Sequence, residues 1–162
     1  MNTQSITALV QQASQALREK QWRMATAESC TGGMIAAAIT ALAGSSEVFE
    51  AGFITYSNEA KTRQLGVSPE TLVAHGAVSE AVAIAMAEGA AAQAQVPLAV
   101  AVTGVAGPGG GSAEKPVGTV WISWCVQGKA HAQRFLFNGD RTQVRTATVE
   151  HALQGVLQAL GQ

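Results

Sequence analysis

The chain has 162 residues, the size of one domain with a substantial buried core. Its formal net charge is −1, and its ten Lys and Arg form no stripe, which excludes a broad nucleic-acid-binding face. Hydrophobic residues reach 48% against 13% charged, a balance that calls for extensively buried helices, an oligomer interface, or both.

Residues 4–20 place Ile6, Leu9, Val10, Ala13 and Leu17 at helical spacing among Gln and Ser, predicting an amphipathic first helix. Residues 1–15 are polar and lack an apolar signal-peptide core. No apolar run reaches the roughly 18 residues of a membrane span, so a cytoplasmic protein with no membrane partner is expected. Trp22 to Ala27 reads as a strand. It runs into Glu28-Ser29-Cys30-Thr31-Gly32-Gly33, a sharp turn, and then into a helix over 33–43 that is apolar on nearly every face and stops at Gly44.

Val48 to Tyr56 gives a second strand, followed by Ser57-Asn58 as capping residues and a short helix over Glu59–Leu65 that carries Lys61 and Arg63. Ser68-Pro69-Glu70 begins another helical turn, and Ser79 caps an alanine-dense helix over Glu80–Gln95. The run from Pro97 to Thr103 is apolar without alternation, as a central strand covered on both faces requires. The loop Gly104-Val105-Ala106-Gly107-Pro108-Gly109-Gly110-Gly111-Ser112 comes next. Val117–Val126 and Lys129–Phe137 alternate around Gln127-Gly128 and predict an antiparallel hairpin. Asp140 caps a last helix that buries Val144, Val149, Leu153, Val156, Leu157 and Leu160. The elements predict one α/β domain over residues 1–162. It is a layered sandwich with a mixed, mostly parallel sheet, an antiparallel hairpin and helices on both faces.

Three of the expected strands end in polar or glycine-rich segments, at Ser29, at Tyr56 and at Thr103-Gly104. Parallel strands with right-handed crossovers bring these ends to one edge of the sheet, where open α/β folds bind ligands. Ser29, Cys30 and Thr31 are all possible nucleophiles there. A serine needs a base. The order Ser29…Asp140…His151 matches a hydrolase triad, but Asp140 is better explained as a helix cap and His151 lies about three turns farther on. The Gly-x-Ser-x-Gly elbow is also absent.

Lys61 is the attractive base, provided burial lowers its pKa, and Tyr56, the only tyrosine, can orient it or pass a proton. Backbone N–H groups of Thr31, Gly32 and Gly33 are candidate oxyanion donors. The local sequence equally allows Ser29 or Thr31 to serve only as a helix cap and Lys61 to be solvated. The glycine loop is neither a Walker A nor a dinucleotide fingerprint; it suggests backbone approaching a phosphate or sugar, or a mobile surface loop. Arg141 and Arg145 share one face at a helix start, opposing the helix dipole; a substrate phosphate would supply the compensating anion, and a solvated face or a subunit contact is the other reading. Cys30, Cys125 and the three histidines show no zinc spacing.

Five segments together resemble the CinA C-terminal domain family, most closely its stand-alone nicotinamide-nucleotide amidase members. They are Ala27-Glu28-Ser29-Cys30-Thr31-Gly32-Gly33, Thr55-Tyr56-Ser57-Asn58-Glu59-Ala60-Lys61, Gly76-Ala77-Val78-Ser79-Glu80, the stretch 104–118 and Gly139-Asp140-Arg141. Val105 and Ala113 depart from the commoner family residues. The resemblance implies hydrolysis of nicotinamide mononucleotide to nicotinate mononucleotide and ammonia. The family's catalytic serine, tyrosine and lysine fall on Ser29, Tyr56 and Lys61. Thr31, Gly32, Gly33, Thr103, Gly104, Gly107, Gly109, Gly110, Arg141 and Arg145 are then expected around the substrate. It also implies a homo-oligomer and no metal or organic cofactor. A nucleotide-binding module without catalysis, or an amidase for a different amide, is the alternative.

Overall fold

Residue size alternates along the central strands, and this decides how the layers pack. The structure, a computed structural model, describes residues 3–162, with side chains from residue 6 onward. Met1 and Asn2 of the polar N-terminal stretch lie outside the described residues. Five strands, β1 (Met24–Glu28), β2 (Phe49–Ile54), β3 (Leu98–Gly104), β4 (Thr119–Val126) and β5 (Lys129–Leu136), form one sheet in the order β2-β1-β3-β4-β5. β1 is parallel to both β2 and β3, while β4 runs antiparallel to β3 and to β5. The expected α/β architecture with a mixed sheet and a hairpin is therefore present.

One face of the sheet presents Met24, Leu98, Val100, Val102, Val120, Ile122 and Trp124 to α1 (Thr3–Lys20), α2 (Met34–Thr40) and α6 (Arg141–Ala159). The other presents Ala25, Ala27, Ala99, Ala101 and Cys125 to α3 (Asn58–Leu65), α4 (Pro69–His75) and α5 (Glu80–Ala94). The period of two along a strand separates the sets. Small residues on the second face let the alanine-rich α5 lie close to the sheet. Leu98 through Val102 are wholly buried, as the unbroken apolar run of β3 predicts.

Helix starts follow their capping residues. Ser57, Ser68, Ser79 and Asp140 each accept a backbone N–H from the first turn that follows, and Asp140 forms a full capping box with Gln143. α2 is the exception. Its N-cap residue, Gly33, is left-handed (φ 105°) and offers no side-chain bond. This helix is also shorter than expected, because the Leu42 amide turns to the Ile39 carbonyl, three residues back, and the chain then bends through Gly44. β1 starts later than expected because the Trp22 amide still closes the end of α1 on the Leu17 carbonyl. The parallel arrangement leaves the carboxyl ends of β1, β2 and β3 side by side.

Candidate active site

Two ladder bonds extend past the strand ends and set the site's frame. The Ser29 amide donates to the Val102 carbonyl at 3.1 Å, and the Thr55 amide donates to the Glu28 carbonyl at 2.9 Å. Ser29 is thus fixed beside β3, and the β2–α3 turn beside β1. Ser57 caps α3, and the helix then carries Lys61 back over the strand ends. Lys61 is only 1% exposed. Its Nζ lies 3.0 Å from Ser29 Oγ and 2.9 Å from the Thr55 carbonyl oxygen, to which it donates. Among the described residues no carboxylate pairs with it. Burial therefore lowers its pKa below the ordinary lysine value of 10.5, opposed only by the neighbouring Cys30.

The three possible nucleophiles now separate. Ser29 alone has its side chain against an amine. Cys30 is buried, and desolvation pushes its thiol up to about 12 even though its backbone N–H, Arg145 and Lys61 act the other way. The Thr31 hydroxyl donates to Glu28 Oε1 at 2.6 Å and is wholly buried.

A cavity of about 310 Å³ opens beside Ser29 and Lys61, at the small end of the range for ligand pockets. Its wall comes from Tyr56 and Asn58 on one side, Ala77 and Val78 on another, and Thr103 through Gly107, Gly109 and Gly110, with Arg141, on the third. The Thr103 hydroxyl donates to the Ala77 carbonyl at 2.9 Å and holds the α4–α5 turn against β3. Gly104 is required by packing: a Cβ there would come within 2.6 Å of Val120 Cγ2 and 2.9 Å of the Thr119 carbonyl oxygen. Lys115 reaches across to the His75 carbonyl at 2.8 Å, and Arg134 donates to the Glu114 carbonyl at 3.1 Å. Arg141 binds the Gly107 carbonyl at 2.8 Å and the Tyr56 hydroxyl at 3.1 Å. Arg141 thus holds the glycine loop, and Lys115 and Arg134 hold the segment that follows it. The backbone N–H groups of Ala106, Gly107, Gly109 and Gly110 find no protein acceptor among the described residues.

Ser29, Tyr56, Lys61, Thr103, Gly104, Gly107, Gly109, Gly110 and Arg141 all line this cavity. Four expected site residues do not. Arg145 is turned onto the nucleophile turn, donating to the Cys30 and Thr31 carbonyls at 3.1 Å each. Those carbonyls lie 115 and 114 residues away in sequence. The Gly32 amide closes on the Ser29 carbonyl at 3.0 Å, so it is not available to an oxyanion. The Thr31 hydroxyl is taken by Glu28 and Gly33 lies against Ile54, while the backbone N–H groups of both residues find no protein acceptor among the described residues.

Asp140 is the cap it was expected to be, and His151 bonds the Ala147 carbonyl and packs on Phe135 and Phe137. Sequence reasoning missed Glu28, which is wholly buried. Its signal was an acid closing an apolar strand just ahead of a helix that has only glycines to start on. It also missed the cavity walls at Asn58, Ala77 and Val78, which only the tertiary fold brings in. A larger depression of about 630 Å³ at the opposite sheet edge is lined by Arg18, Arg23, Glu47 and Glu50, whose charges pair with one another.

Comparison with known proteins identifies the family. The nicotinamide-nucleotide amidohydrolase PncC of Escherichia coli K12 is 49% identical over 159 residues, covering 98% of this chain and 96% of that protein. A protein of the same name from Pseudomonas putida is 54% identical over 154 residues, with coverages of 94% and 96%. The crystal structure of a competence/damage inducible protein from Agrobacterium tumefaciens superposes with a TM-score of 0.93 at 46% identity, covering 98% of this chain and 96% of that one. The profile of the CinA C-terminal domain matches residues 6–160. The chain belongs to the CinA C-terminal domain family.

Proposed function

We propose that the chain is an amidohydrolase that converts nicotinamide mononucleotide to nicotinate mononucleotide and ammonia, with Ser29 as nucleophile and Lys61 as base. The observation that carries this reading is the 3.0 Å contact between Ser29 Oγ and a buried Lys61 Nζ with no carboxylate partner. A lysine in that setting gives up its own proton more easily than a solvated one and can then take a hydroxyl proton. Close relatives that bear the name nicotinamide-nucleotide amidohydrolase supply the substrate class.

In the proposed reaction Ser29 Oγ attacks the carboxamide carbon as its proton passes to Lys61 Nζ. The tetrahedral oxyanion is held by backbone N–H groups, for which we take those of Ala106 and Gly107, residues that line the cavity and whose N–H groups find no protein acceptor among the described residues. Collapse breaks the carbon–nitrogen bond, and the proton from Lys61 leaves with ammonia. Water then repeats the sequence on the acyl-enzyme and releases the carboxylate. Tyr56, held by Arg141, stands at the cavity rim to pack against the substrate or to relay the proton. The N–H groups of Gly109 and Gly110, with Arg141, are the proposed seat of the ribose phosphate.

Ammonia release from nicotinamide mononucleotide tests the assignment. Ser29→Ala is expected to lose at least a thousandfold in kcat while still being stabilised against heat by the nucleotide; near-normal turnover by that variant would falsify the mechanism. Stabilisation of the unaltered protein without any turnover would indicate a binding module instead. A homo-oligomer in a reducing compartment completes the proposal. It is supported by exposed Val73 and Leu136 and by two free, buried cysteines. Sedimentation at equilibrium as a monomer would remove the oligomer.

A further inference from the structure

We propose that Glu28 is a positioning residue for the nucleophile, an inference that rests on the reading of Ser29 given above. Glu28 ends β1 immediately before Ser29, its side chain is wholly buried, and it forms no ion pair among the described residues. Burying a carboxylate without a cation is costly unless every oxygen is hydrogen-bonded. Here three donors converge: the Thr31 hydroxyl at 2.6 Å and the Ile35 amide at 2.9 Å on Oε1, and the Ala36 amide at 2.9 Å on Oε2.

A cheaper cap was open to the chain. Four other helices begin on a serine or aspartate at the N-cap itself, and a side chain in place of Gly33 is the ordinary solution. A cap supplied from the preceding strand does something that a local cap does not. Its bonds leave the strand on one side of Ser29 and reach the helix on the other, so the nucleophile lies inside a closed ring of covalent and hydrogen bonds. Neither β1 nor α2 can shift relative to the other without breaking that ring.

The same residue also touches the base through the backbone. The Glu28 carbonyl accepts from the Thr55 amide, and the Thr55 carbonyl accepts from Lys61 Nζ. The Ser29–Lys61 separation is therefore set by a frame in which Glu28 is the shared member. Its carboxylate does not face the cavity and touches no reacting atom, so its effect is on geometry.

The experiment compares the full-length protein with Glu28→Gln and Thr31→Val. In Glu28→Gln the amide oxygen can keep Thr31 and Ile35, but its NH2 group meets the Ala36 amide donor to donor. Thr31→Val leaves the carboxylate and removes its shortest bond. Two readouts are taken: the rate at which a small fluorophosphonate labels Ser29, and kcat and KM for nicotinamide mononucleotide. Glu28→Gln is expected to lower labelling rate and kcat together by tenfold or more, with KM within twofold and a folded near-ultraviolet spectrum. Thr31→Val is expected to lower the same two quantities by a smaller factor.

Labelling of Glu28→Gln at the unaltered rate overturns the proposal. So does a loss that merely tracks the unfolded fraction in both variants. If the unaltered protein is labelled at Ser29 but releases no ammonia from the nucleotide, the substrate assignment fails, and the ratio of labelling rates still decides the role of Glu28. If it takes no label, the nucleophile reading and this inference fall together.

Discussion

At the scale of single residues the site depends on an amine kept out of water. Lys61 is buried against Ser29 and the Thr55 carbonyl, and desolvation lowers its pKa from 10.5. Two consequences have defined signs. A base must be unprotonated, so kcat/KM for nicotinamide mononucleotide is expected to rise with pH through the lowered pKa and to level off before 10.5; an activity that falls with pH over that range would contradict a lysine base. Lys61→Arg, which cannot give up its proton, is expected to lose at least a hundredfold in kcat.

The second consequence concerns stability. Between the folded and unfolded pKa values the unfolded chain binds the extra proton, so stability rises with pH across that window. Lysine is then a burden below the folded pKa, and the burden disappears above 10.5. The stability difference between Lys61→Met and the unaltered protein, followed by urea unfolding, is expected to shift steadily in favour of lysine as the pH approaches 10.5. A difference that stays constant with pH would mean the pKa is not lowered. Cys30 shows the opposite use of burial. With its thiol near 12, it is expected to resist iodoacetamide in the folded protein at pH 8 and to react on unfolding, which mass spectrometry reads directly.

Elements matter here through how closely they approach. α3 carries Lys61, and it lies against α5 at Gly89, where an added Cβ would collide with the Leu65 carbonyl. Gly89→Ala is expected to cost about 1–3 kcal/mol in unfolding free energy and to displace α3, lowering kcat more than it raises KM. Gly109→Ala is the control for stability, since a methyl there meets open space and the backbone is not left-handed; a thermal midpoint that moves as far as that of Gly89→Ala would refute the packing argument. This scale is also where the sequence was most legible. Capping serines and Asp140 marked the helix starts, the unbroken run before Thr103 marked the central strand, and the polar strand ends located Ser29, Tyr56 and Lys61 together. Side-chain direction was less legible. The i,i+4 spacing of Arg141 and Arg145 put both on one helix face, yet one reaches Tyr56 and the other the turn at Cys30 and Thr31. Which groups lie in reach is a property of contacts 34 to 115 residues apart in sequence. Glu28 was hidden for a local reason: Ser29 and Thr31 read as the caps of the following helix, whereas the Ile35 and Ala36 amides bond the carboxylate that closes the preceding strand.

For the whole molecule, the distribution of scarce charge carries the argument. Among the described residues only Arg18 and Arg23 form ion pairs, at the sheet edge opposite the site. Around the site, Lys61, Lys115, Arg134, Arg141 and Arg145 each bind at least one backbone carbonyl instead. These bonds tie loops from separate parts of the chain into one wall. Arg141 is the joint with the widest span, since it holds the end of the β2–α3 segment at Tyr56 and the glycine loop at Gly107 from the first turn of α6. Removing it leaves the sheet and its two apolar layers untouched, because none of its contacts belongs to them. Arg141→Ala is therefore expected to speed amide exchange several-fold at the bonded amides of the wall, Val105, Ser112, Lys115 and Gly118, with exchange in β1 and β3 unchanged. KM for nicotinamide mononucleotide should rise by about tenfold or more, the cost of one lost charge-assisted contact plus the disorder of the wall. Arg141→Lys, which can keep one of the two bonds but not the fork, should fall between. If exchange quickens throughout the sheet, Arg141 is a fold residue and not a joint. If exchange is unchanged while KM rises, it meets the substrate but does not hold the wall.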